Sequence, residues 1–291
     1  MNISFFGLGK MGNPMASHLA HQGHSLTIYN RTQSKAEAWL KQHNASKHTL
    51  ALTAAEACKE CDILIMCVGN DTDVENVLFG KEGAHETLKP GTLVIDHTTT
   101  SADLAKNMHK QLSQLQVDFV DAPVSGGEQG AINGQLSIMC GGDLLSVERA
   151  KTATAAYSKA FNHMGEPGTG QLTKMVNQIC VAGLVEALAE GIHFGQKAGL
   201  DMEKVMQVVG AGAGSSWQLV NRHKTMLNNE YNFGFAIDHM RKDLDICLSQ
   251  ARKIQAQLPS TALVDQLYGE LQQTGDGQLD TSALLKRLQR E

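Results

Sequence analysis

The first half of the chain alternates short apolar runs with helix-like segments. The apolar runs, rich in Ile, Val, Leu and Phe, span residues 2–6, 26–29, 62–68, 93–96, 117–121 and 136–140. Short apolar runs separated by helical patterns are typical of βαβ units. We therefore expect an α/β fold here, a Rossmann doubly wound, mostly parallel sheet with helices on both faces.

The pattern changes after Gly170. Apolar residues now recur with a 3.6-residue period, at Leu184, Leu188 and Ile192 and again at Leu244, Cys247 and Leu248. This period predicts helices, and strand signals are weak in this part. We therefore expect two domains, an α/β domain over 1–165 and an all-α domain over 166–291, joined by a long interdomain helix.

That long helix is expected from Gln171 to about Ala198. Its most apolar stretch is interrupted by the polar residues Asn177, Gln178, Glu186 and Glu190, which favours a buried helix over a membrane span. The helix presents more apolar surface than one small helical domain needs. We therefore expect a subunit interface, in a homodimer or a homotetramer.

Composition and charge narrow the function. The chain has 291 residues, 42% of them hydrophobic and 19% charged, with a formal net charge of −5. Dense runs of Lys or Arg, which nucleic acids or anionic membranes attract, do not occur, and the N-terminus lacks the basic region of a signal peptide. These features favour a cytoplasmic protein that acts on a small molecule, with no nucleic-acid or membrane partner.

The cysteines give no sign of a metal or disulfide framework. Six of them are scattered at irregular spacing through apolar and helical contexts, which suggests reduced thiols. Cys58 and Cys61 match C-x-x-C but lack a second pair and thioredoxin-like flanks. We interpret them as a helix end before a strand and expect no metal site.

Three glycines directly follow the first expected strand, in the pattern Gly7-x-Gly9-x-x-Gly12. A helix is expected next, over 10–22, ending at Gly23. In such a loop the first glycine permits a tight turn, the second lets a pyrophosphate approach the backbone, and the third allows close helix–sheet packing. The order of strand, glycines, helix and second strand favours a bound dinucleotide over an empty βα turn. We therefore expect residues 1–165 to be an NAD(P)-binding Rossmann domain and residues 166–291 to be the substrate and dimerisation domain.

The second strand ends in Tyr29-Asn30-Arg31-Thr32. At this place dinucleotide folds carry an acid for the ribose 2′-hydroxyl of NAD, or an arginine for the 2′-phosphate of NADP. Asn30 and Thr32 are neutral hydrogen-bonding residues, and Arg31 offers a planar donor fork that suits a phosphate. We therefore expect NADP to be preferred and NAD to be possible; the alternative is that Arg31 points to solvent.

A second glycine cluster, Ser125-Gly126-Gly127, follows another strand. Backbone amides at the carboxyl end of a strand can form an anion site, which would suit a substrate carboxylate. A wide glycine turn without a ligand explains the pattern equally well.

Lys174, Asn177 and Gln178 stand at i, i+3 and i+4 of the long helix, so they share one face. The lysine suits a proton donor, provided that its pKa falls from about 10.4 through desolvation or a nearby cation. The alternative is a solvated polar stripe.

Lys242 could supply that cation. It follows Phe235 by seven residues, so both should line one helix face and one cleft, while Asp243 and Asp245 should point elsewhere. The alternative is an ordinary charged helix surface.

Four motifs together resemble the β-hydroxyacid dehydrogenases, the group of 3-hydroxyisobutyrate dehydrogenase, tartronate semialdehyde reductase and glyoxylate/succinic semialdehyde reductases. They are Gly7-Leu-Gly-Lys-Met-Gly12 with Met15-Ala16, Asp121-Ala-Pro-Val-Ser-Gly-Gly127, Gly168-Thr-Gly-Gln-Leu-Thr-Lys174 with Asn177-Gln178, and Lys242-Asp243-Leu244. The motifs are spread over nearly the whole chain. The resemblance implies hydride transfer between a nicotinamide and a short, carboxylate-bearing β-hydroxyacid or its semialdehyde or keto form.

The resemblance also implies roles for single residues. Lys174 would be the catalytic acid/base, Asn177 would orient the substrate, and Phe235 would shape its pocket. The substrate carboxylate would bind at Ser125, Gly126 and Gly127. The residues implied for the cofactor are Gly7, Leu8, Gly9, Lys10, Met11, Gly12, Asn30, Arg31, Thr32, Asn70, Thr99 and Lys242.

Two other functions compete with this one. Imine reductases share the cofactor domain but replace the lysine, so Lys174 argues against them. A nicotinamide-binding scaffold or regulator without turnover is the other alternative, since a fold alone does not prove chemistry. The 6-phosphogluconate dehydrogenases use a similar lysine, but we set them aside because they have a far larger helical domain than this chain could supply.

Overall fold

A computed structural model describes residues 1–43 and 47–290 of the chain. The fold divides into two compact units, Met1–Lys174 and Met175–Glu291. We call them the α/β unit and the helical unit.

The described part of the α/β unit contains a nine-stranded sheet. Its strands are β1 (Asn2–Phe6), β2 (Ser25–Tyr29), β3 (Thr49–Leu50), β4 (Ile63–Met66), β5 (Leu93–Asp96), β6 (Asp118–Asp121), β7 (Val124–Ser125), β8 (Leu136–Gly141) and β9 (Ser158–Gly165). They lie in the order β3-β2-β1-β4-β5-β6-β8-β7, with β9 paired to β8. β1 to β6 are parallel; β8 runs antiparallel to β6 and β7 and parallel to β9.

Helices connect these strands. They are α1 (Gly12–His21), α2 (Gln33–Gln42), α3 (Ala54–Cys58), α4 (Asp71–Phe79), α5 (Ala102–Gln114), α6 (Gly127–Ile132) and α7 (Leu144–Thr154), with a 3₁₀ turn at Ala84–Glu86. Successive residues of β4 point to opposite faces: Ile63 and Ile65 join one apolar core, and Leu64 and Met66 join the other. The central strands are thus buried on both faces, which explains their continuous apolar runs.

The helical unit surrounds a third core, which contains Ala182, Leu188, Met240 and Tyr268. Its helices are α8 (Thr169–Lys197), which begins in the α/β unit, α9 (Met202–Ala211), α10 (Trp217–Leu227), α11 (Ile237–Ile254), α12 (Pro259–Gln273) and α13 (Leu284–Leu288), with a 3₁₀ turn at Thr281–Ala283. Among the described residues, α8 has the length and hydropathy of a membrane span, and 44% of its most apolar window is buried. Core helices of soluble proteins pass the same test.

The fold class predicted from the sequence is confirmed, as are the six predicted strands, within one or two residues at each end. Three strands were missed. β3 and β7 have two residues each, too few for a periodic signal, and β9 is largely exposed, so it lacks an apolar run. Cys58 ends α3 and Cys61 precedes β4, as predicted, and the six cysteines, all among the described residues, form no disulfide.

Candidate active site

The glycine loop between β1 and α1 is shaped by two glycines and left open by the third. Gly7 has φ +94°, and a Cβ there would lie 2.2 Å from the Cys67 carbonyl oxygen. A Cβ at Gly12 would lie 1.8 Å from the carbonyl oxygen of Gly7. A Cβ at Gly9 would meet no heavy atom of the described chain within 4 Å. Packing therefore requires Gly7 and Gly12, whereas the space beside Gly9 can accept a ligand, as a pyrophosphate cradle requires.

The residues between Gly9 and Gly12 frame this space. The Lys10 side chain is 57% exposed and lies 3.8 Å from the Glu128 carboxylate. Met11 is partly buried and packs against the first apolar core. The loop thus combines an apolar anchor with an exposed cation.

Asn30, directly after β2, connects the loop that follows β1 with the loop that follows β2. Its Oδ1 accepts a hydrogen bond from the backbone N–H of Leu8 at 2.8 Å, and its Nδ2 donates to the Thr32 carbonyl at 2.8 Å. Thr32 is the N-cap residue of α2. Asn30 thereby fixes the glycine loop against the end of β2.

Arg31 points outward beside this junction. Its side chain is 85% exposed, and Nη1 lies 2.9 Å from Oδ1 of Asp73, in the first turn of α4. Asn70 is the N-cap of α4, and its Oδ1 accepts from the backbone N–H of Asp73 at 2.9 Å. No motif or periodicity indicated that Asp73 pairs with Arg31, because the two residues lie in different βα units.

The end of β5 carries buried polar groups. Asp96 Oδ1 accepts from the backbone N–H of Thr98 at 2.8 Å, and Thr98 Oγ1 accepts from Val68 N–H at 3.0 Å. Burial raises the pKa of Asp96 to about 7. Thr99, the next residue, is partly exposed. These bonds hold the loops after β4 and β5 against each other.

Ser125, Gly126 and Gly127 form the turn from β7 into α6. Gly126 has φ +133° and Gly127 has φ +64°, both in the region that favours glycine. A Cβ at Gly127 would contact nothing in the described chain within 4 Å. The turn therefore presents open space beside backbone amides.

Lys174 lies next to this turn. Its side chain is buried, with 7% exposed, and Nζ donates a hydrogen bond to the Val124 carbonyl at 2.8 Å. Because Val124 directly precedes Ser125, the ammonium group lies beside the glycine turn.

Asp121 fixes the beginning of α8, which carries Lys174. Its Oδ1 accepts from Gly168 N–H at 2.7 Å and its Oδ2 from Gln171 N–H at 2.8 Å. A Cβ at Gly170 would lie 2.5 Å from the Met139 carbonyl oxygen, so the helix start packs tightly on the sheet. Burial raises the pKa of Asp121 to about 7.

Two further side chains brace the same edge of the sheet. Gln171 Oε1 accepts from Thr100 N–H at 3.0 Å, and its Nε2 donates to the Thr98 carbonyl at 2.7 Å. His97 Nδ1 lies 2.6 Å from the Ala122 carbonyl oxygen and Nε2 lies 2.8 Å from the Tyr157 hydroxyl. Burial lowers the pKa of His97 to about 4, so the ring is neutral, and a carbonyl partner requires the proton on Nδ1.

The helical unit holds a chain of polar side chains, which we call the amide–carboxylate chain: Asn177, Gln178, Asp243 and Lys242. Asn177 Nδ2 donates to Gln178 Oε1 at 2.8 Å, and Gln178 Nε2 donates to Asp243 Oδ2 at 2.7 Å. Lys242 Nζ lies 3.0 Å from Asp243 Oδ1. The prediction that Asp243 points elsewhere than Lys242 is wrong, because its carboxylate contacts Lys242 with one oxygen and accepts from Gln178 of α8 with the other.

The predicted common helix face of Phe235 and Lys242 is also wrong. Phe235 precedes α11, and its backbone is held by Asp280 and Thr281: its N–H donates to Asp280 Oδ2 and its carbonyl accepts from Thr281 N–H, both at 2.9 Å. The phenyl ring packs against the core of the helical unit. Helical spacing therefore does not apply between the two residues.

Comparison with known proteins agrees with this architecture. Residues 2–165 match the family model of the NAD binding domain of 6-phosphogluconate dehydrogenase, and residues 168–288 match the NAD-binding domain of NADP-dependent 3-hydroxyisobutyrate dehydrogenase. The chain belongs to the β-hydroxyacid dehydrogenase family, and it is an NAD(P)-dependent oxidoreductase.

Individual relatives cover the chain almost completely. An uncharacterized oxidoreductase of Shewanella frigidimarina is 49% identical, covering 99% of this chain and 98% of that protein. The 2-hydroxy-3-oxopropionate reductase of Escherichia coli is 37% identical, covering 99% and 97%. The structure of Mycobacterium tuberculosis 3-hydroxyisobutyrate dehydrogenase with L-serine superposes with a TM-score of 0.88 at 26% identity, covering 99% of each chain.

Proposed function

We propose that this chain interconverts a short β-hydroxyacid and its semialdehyde or keto form, with Lys174 as the general acid/base. The observation that carries the proposal is the hydrogen bond from Lys174 Nζ to the Val124 carbonyl, immediately before Ser125. A buried ammonium group beside a turn with open backbone amides suits a proton donor next to an anion site. The names of the relatives, a hydroxyacid dehydrogenase and a reductase of an oxo-acid, support the same substrate class.

In this proposal the substrate carboxylate binds the Ser125 hydroxyl and the amides of Gly126 and Gly127. Lys174 gives a proton to the carbonyl oxygen during reduction and takes it back during oxidation. Asn177 orients the substrate, and Phe235 lines its pocket. The nicotinamide dinucleotide, when bound, supplies or accepts the hydride.

We assign the NAD(P)-binding domain to residues 1–165 and an all-helical substrate and dimerisation domain, which would also bring Lys242 to the cofactor, to residues 166–291. The ranges of the two family matches, 2–165 and 168–288, support this boundary. The open space at Gly9 would take the pyrophosphate. The residues proposed to line the site are Gly7, Leu8, Gly9, Lys10, Met11, Gly12, Asn30, Arg31, Thr32, Asn70, Thr99 and Lys242. We infer that NADP is preferred over NAD, because the exposed Arg31 guanidinium can turn to a 2′-phosphate.

We also propose that the enzyme is a cytoplasmic homodimer or homotetramer that buries the outer face of α8. Val176, Leu184 and Phe194 are 61%, 44% and 73% exposed on this helix, at spacings that place them on one side. An apolar stripe of this kind suits a second copy of the chain. Light scattering on the purified protein measures the oligomeric state directly.

The decisive test of the function is Lys174→Ala. Loss of a general acid/base should lower kcat by about a hundredfold or more, while NADPH affinity stays within about twofold of wild type. Lys159→Ala, at an exposed lysine of β9, is the matched control and should leave kcat unchanged. A Lys174→Ala enzyme with wild-type kcat would refute the assignment.

The same assay should include small semialdehydes, 3-hydroxyacids, aldehydes without a carboxylate and cyclic imines. Substrates without a carboxylate should react at least about tenfold more slowly in kcat/KM, because the amides would lack their anion. Preferential reduction of imines would instead favour an imine reductase. Tight binding of NADPH without turnover of any compound would favour a scaffold.

A further inference from the structure

The ion pair between Arg31 and Asp73 brings together two segments that are distant in the sequence. Arg31 follows β2, and Asp73 lies in the first turn of α4, which follows β4. Their side chains meet at 2.9 Å, although the arginine is 85% exposed and the aspartate only 24%. The guanidinium that suits a 2′-phosphate is thus already bound to an acid of the same chain.

The Asp73 side chain is more enclosed than the Arg31 side chain. Asn70 Oδ1 fixes the backbone of Asp73 by accepting its N–H at 2.9 Å. The adjoining loop also leaves room for its carboxylate: a Cβ at Gly69 would lie 2.4 Å from Asp73 Oδ2. The backbone of Asp73 is therefore held in place, and its carboxylate is far less exposed than the Arg31 guanidinium.

This acid affects the two cofactors differently. An exposed ion pair of this kind contributes little to stability, so Arg31 can leave Asp73 for a stronger partner. A phosphate dianion is such a partner, since it offers several acceptors to the guanidinium fork. The Asp73 carboxylate, however, repels the phosphate, and its ion pair with Arg31 must break before the arginine can bind the phosphate. Binding of a ribose 2′-hydroxyl involves neither of these unfavourable contributions.

We propose that Asp73 is a specificity-determining residue that competes with the 2′-phosphate of NADP for Arg31 and so narrows the difference in affinity between NADP and NAD. The inference rests on the proposed binding of NADP at Arg31. It explains how a chain with an arginine at the end of β2 can use both dinucleotides.

The test compares wild type, Asp73→Asn, Arg31→Ala and the double variant. Dissociation constants of NADPH and NADH are measured by nicotinamide fluorescence, without substrate. Asp73→Asn should tighten NADPH binding about threefold to tenfold and change NADH binding less than about twofold. Glu75→Gln removes the same charge from an exposed position of α4 and should change neither constant.

The double variant identifies the route of the effect. If Asp73 competes for Arg31, Asp73→Asn should tighten NADPH binding less than about twofold when Arg31 is already alanine. An equal gain in both backgrounds, or no gain in wild type, would overturn the inference while leaving NADP binding intact. Failure of both nucleotides to bind the wild-type protein would instead overturn the proposed function together with the inference.

Discussion

Two polar clusters, one in each unit, bind their buried side chains in different ways. At the start of α8, in the α/β unit, the partners are backbone groups: Asp121 accepts from the amides of Gly168 and Gln171, and Lys174 donates to the Val124 carbonyl. In the helical unit, the amide–carboxylate chain links Gln178 and Asp243 side chain to side chain. One arrangement fixes loops, and the other fixes the orientation of neighbouring side chains.

This difference has a physical consequence. A backbone amide cannot rotate away when its partner is removed, so a buried one left unpaired costs stability. A side chain that loses its partner can turn to another partner or to water, and then loses its orientation first. We therefore expect mutations at the start of α8 to reduce stability most and mutations in the amide–carboxylate chain to reduce activity most.

The largest effect on stability should come from Asp121→Ala. It leaves the amides of Gly168 and Gln171 without their acceptor, so the free energy of unfolding should fall by about 2 to 4 kcal/mol. Asp121→Asn, which retains one acceptor oxygen, should lose less. Urea unfolding of both variants measures this, and wild-type stability of the alanine variant would contradict the role assigned to Asp121.

A smaller stability change with a clear loss of activity is expected for Asp243→Asn. The substitution keeps an acceptor for Gln178 but removes the charge beside Lys242, whose partly exposed side chain can turn to water, so the free energy of unfolding should fall by about 1 kcal/mol. Because Asn177 is oriented through Gln178, kcat/KM should fall about tenfold. Steady-state kinetics and urea unfolding are measured on the same sample. A stability loss as large as that of Asp121→Ala would remove the contrast between the two clusters.

The stability of the α/β unit should also depend on pH, because burial shifts the pKa values of Asp96, Asp121 and His97. The pKa of Asp96 is raised by burial to about 7 in the folded protein, above its unfolded value near 3.8, so the folded state binds more protons between these pH values. Stability should therefore fall as pH rises from about 4 to about 7. Asp121, whose pKa is also raised to about 7, contributes a change of the same sign. His97 contributes the opposite change: because its pKa is lowered to about 4, its contribution to the stability of the protein decreases as pH falls below about 6.5.

Asp96→Asn removes one of these contributions. The fall in stability between pH 4 and pH 7 should become smaller by up to about 3 kcal/mol relative to wild type, because each unit of pKa shift corresponds to about 1.4 kcal/mol. Thermal unfolding at several pH values provides the measurement. An unchanged slope would show that Asp96 ionises in the folded state as it does in the unfolded one.

Several features followed from local sequence alone. The alternation of apolar runs and helices predicts the doubly wound sheet, because a strand buried on both faces needs a continuous apolar run. The order of strand, Gly7, Gly9 and Gly12 predicts the loop, since a tight turn and a close helix contact each require glycine. Lys174 could be singled out because helical spacing places it near two amides.

A prediction from helical spacing was wrong where one of the residues lies outside the helix. Phe235 and Lys242 are seven residues apart, but Ile237 begins the helix, so a helical argument could not include Phe235. A bridge between Ala236 and Asp280 decides that start, and its partner lies 44 residues further along the chain. Short-range patterns carry no information about such a partner.

What the sequence determined by itself is thus the set of elements and the residue types at their ends. Which of these residues contact each other depends on the packing of distant segments. Arg31 contacts Asp73, Asp121 contacts Gly168, and Lys174 contacts Val124, and the residues of each pair are more than 40 positions apart. The reason is that a hydrogen bond or ion pair depends on distances of about 3 Å. Periodicity fixes the direction of a side chain on its own element, but the packing of whole elements sets its distance from another.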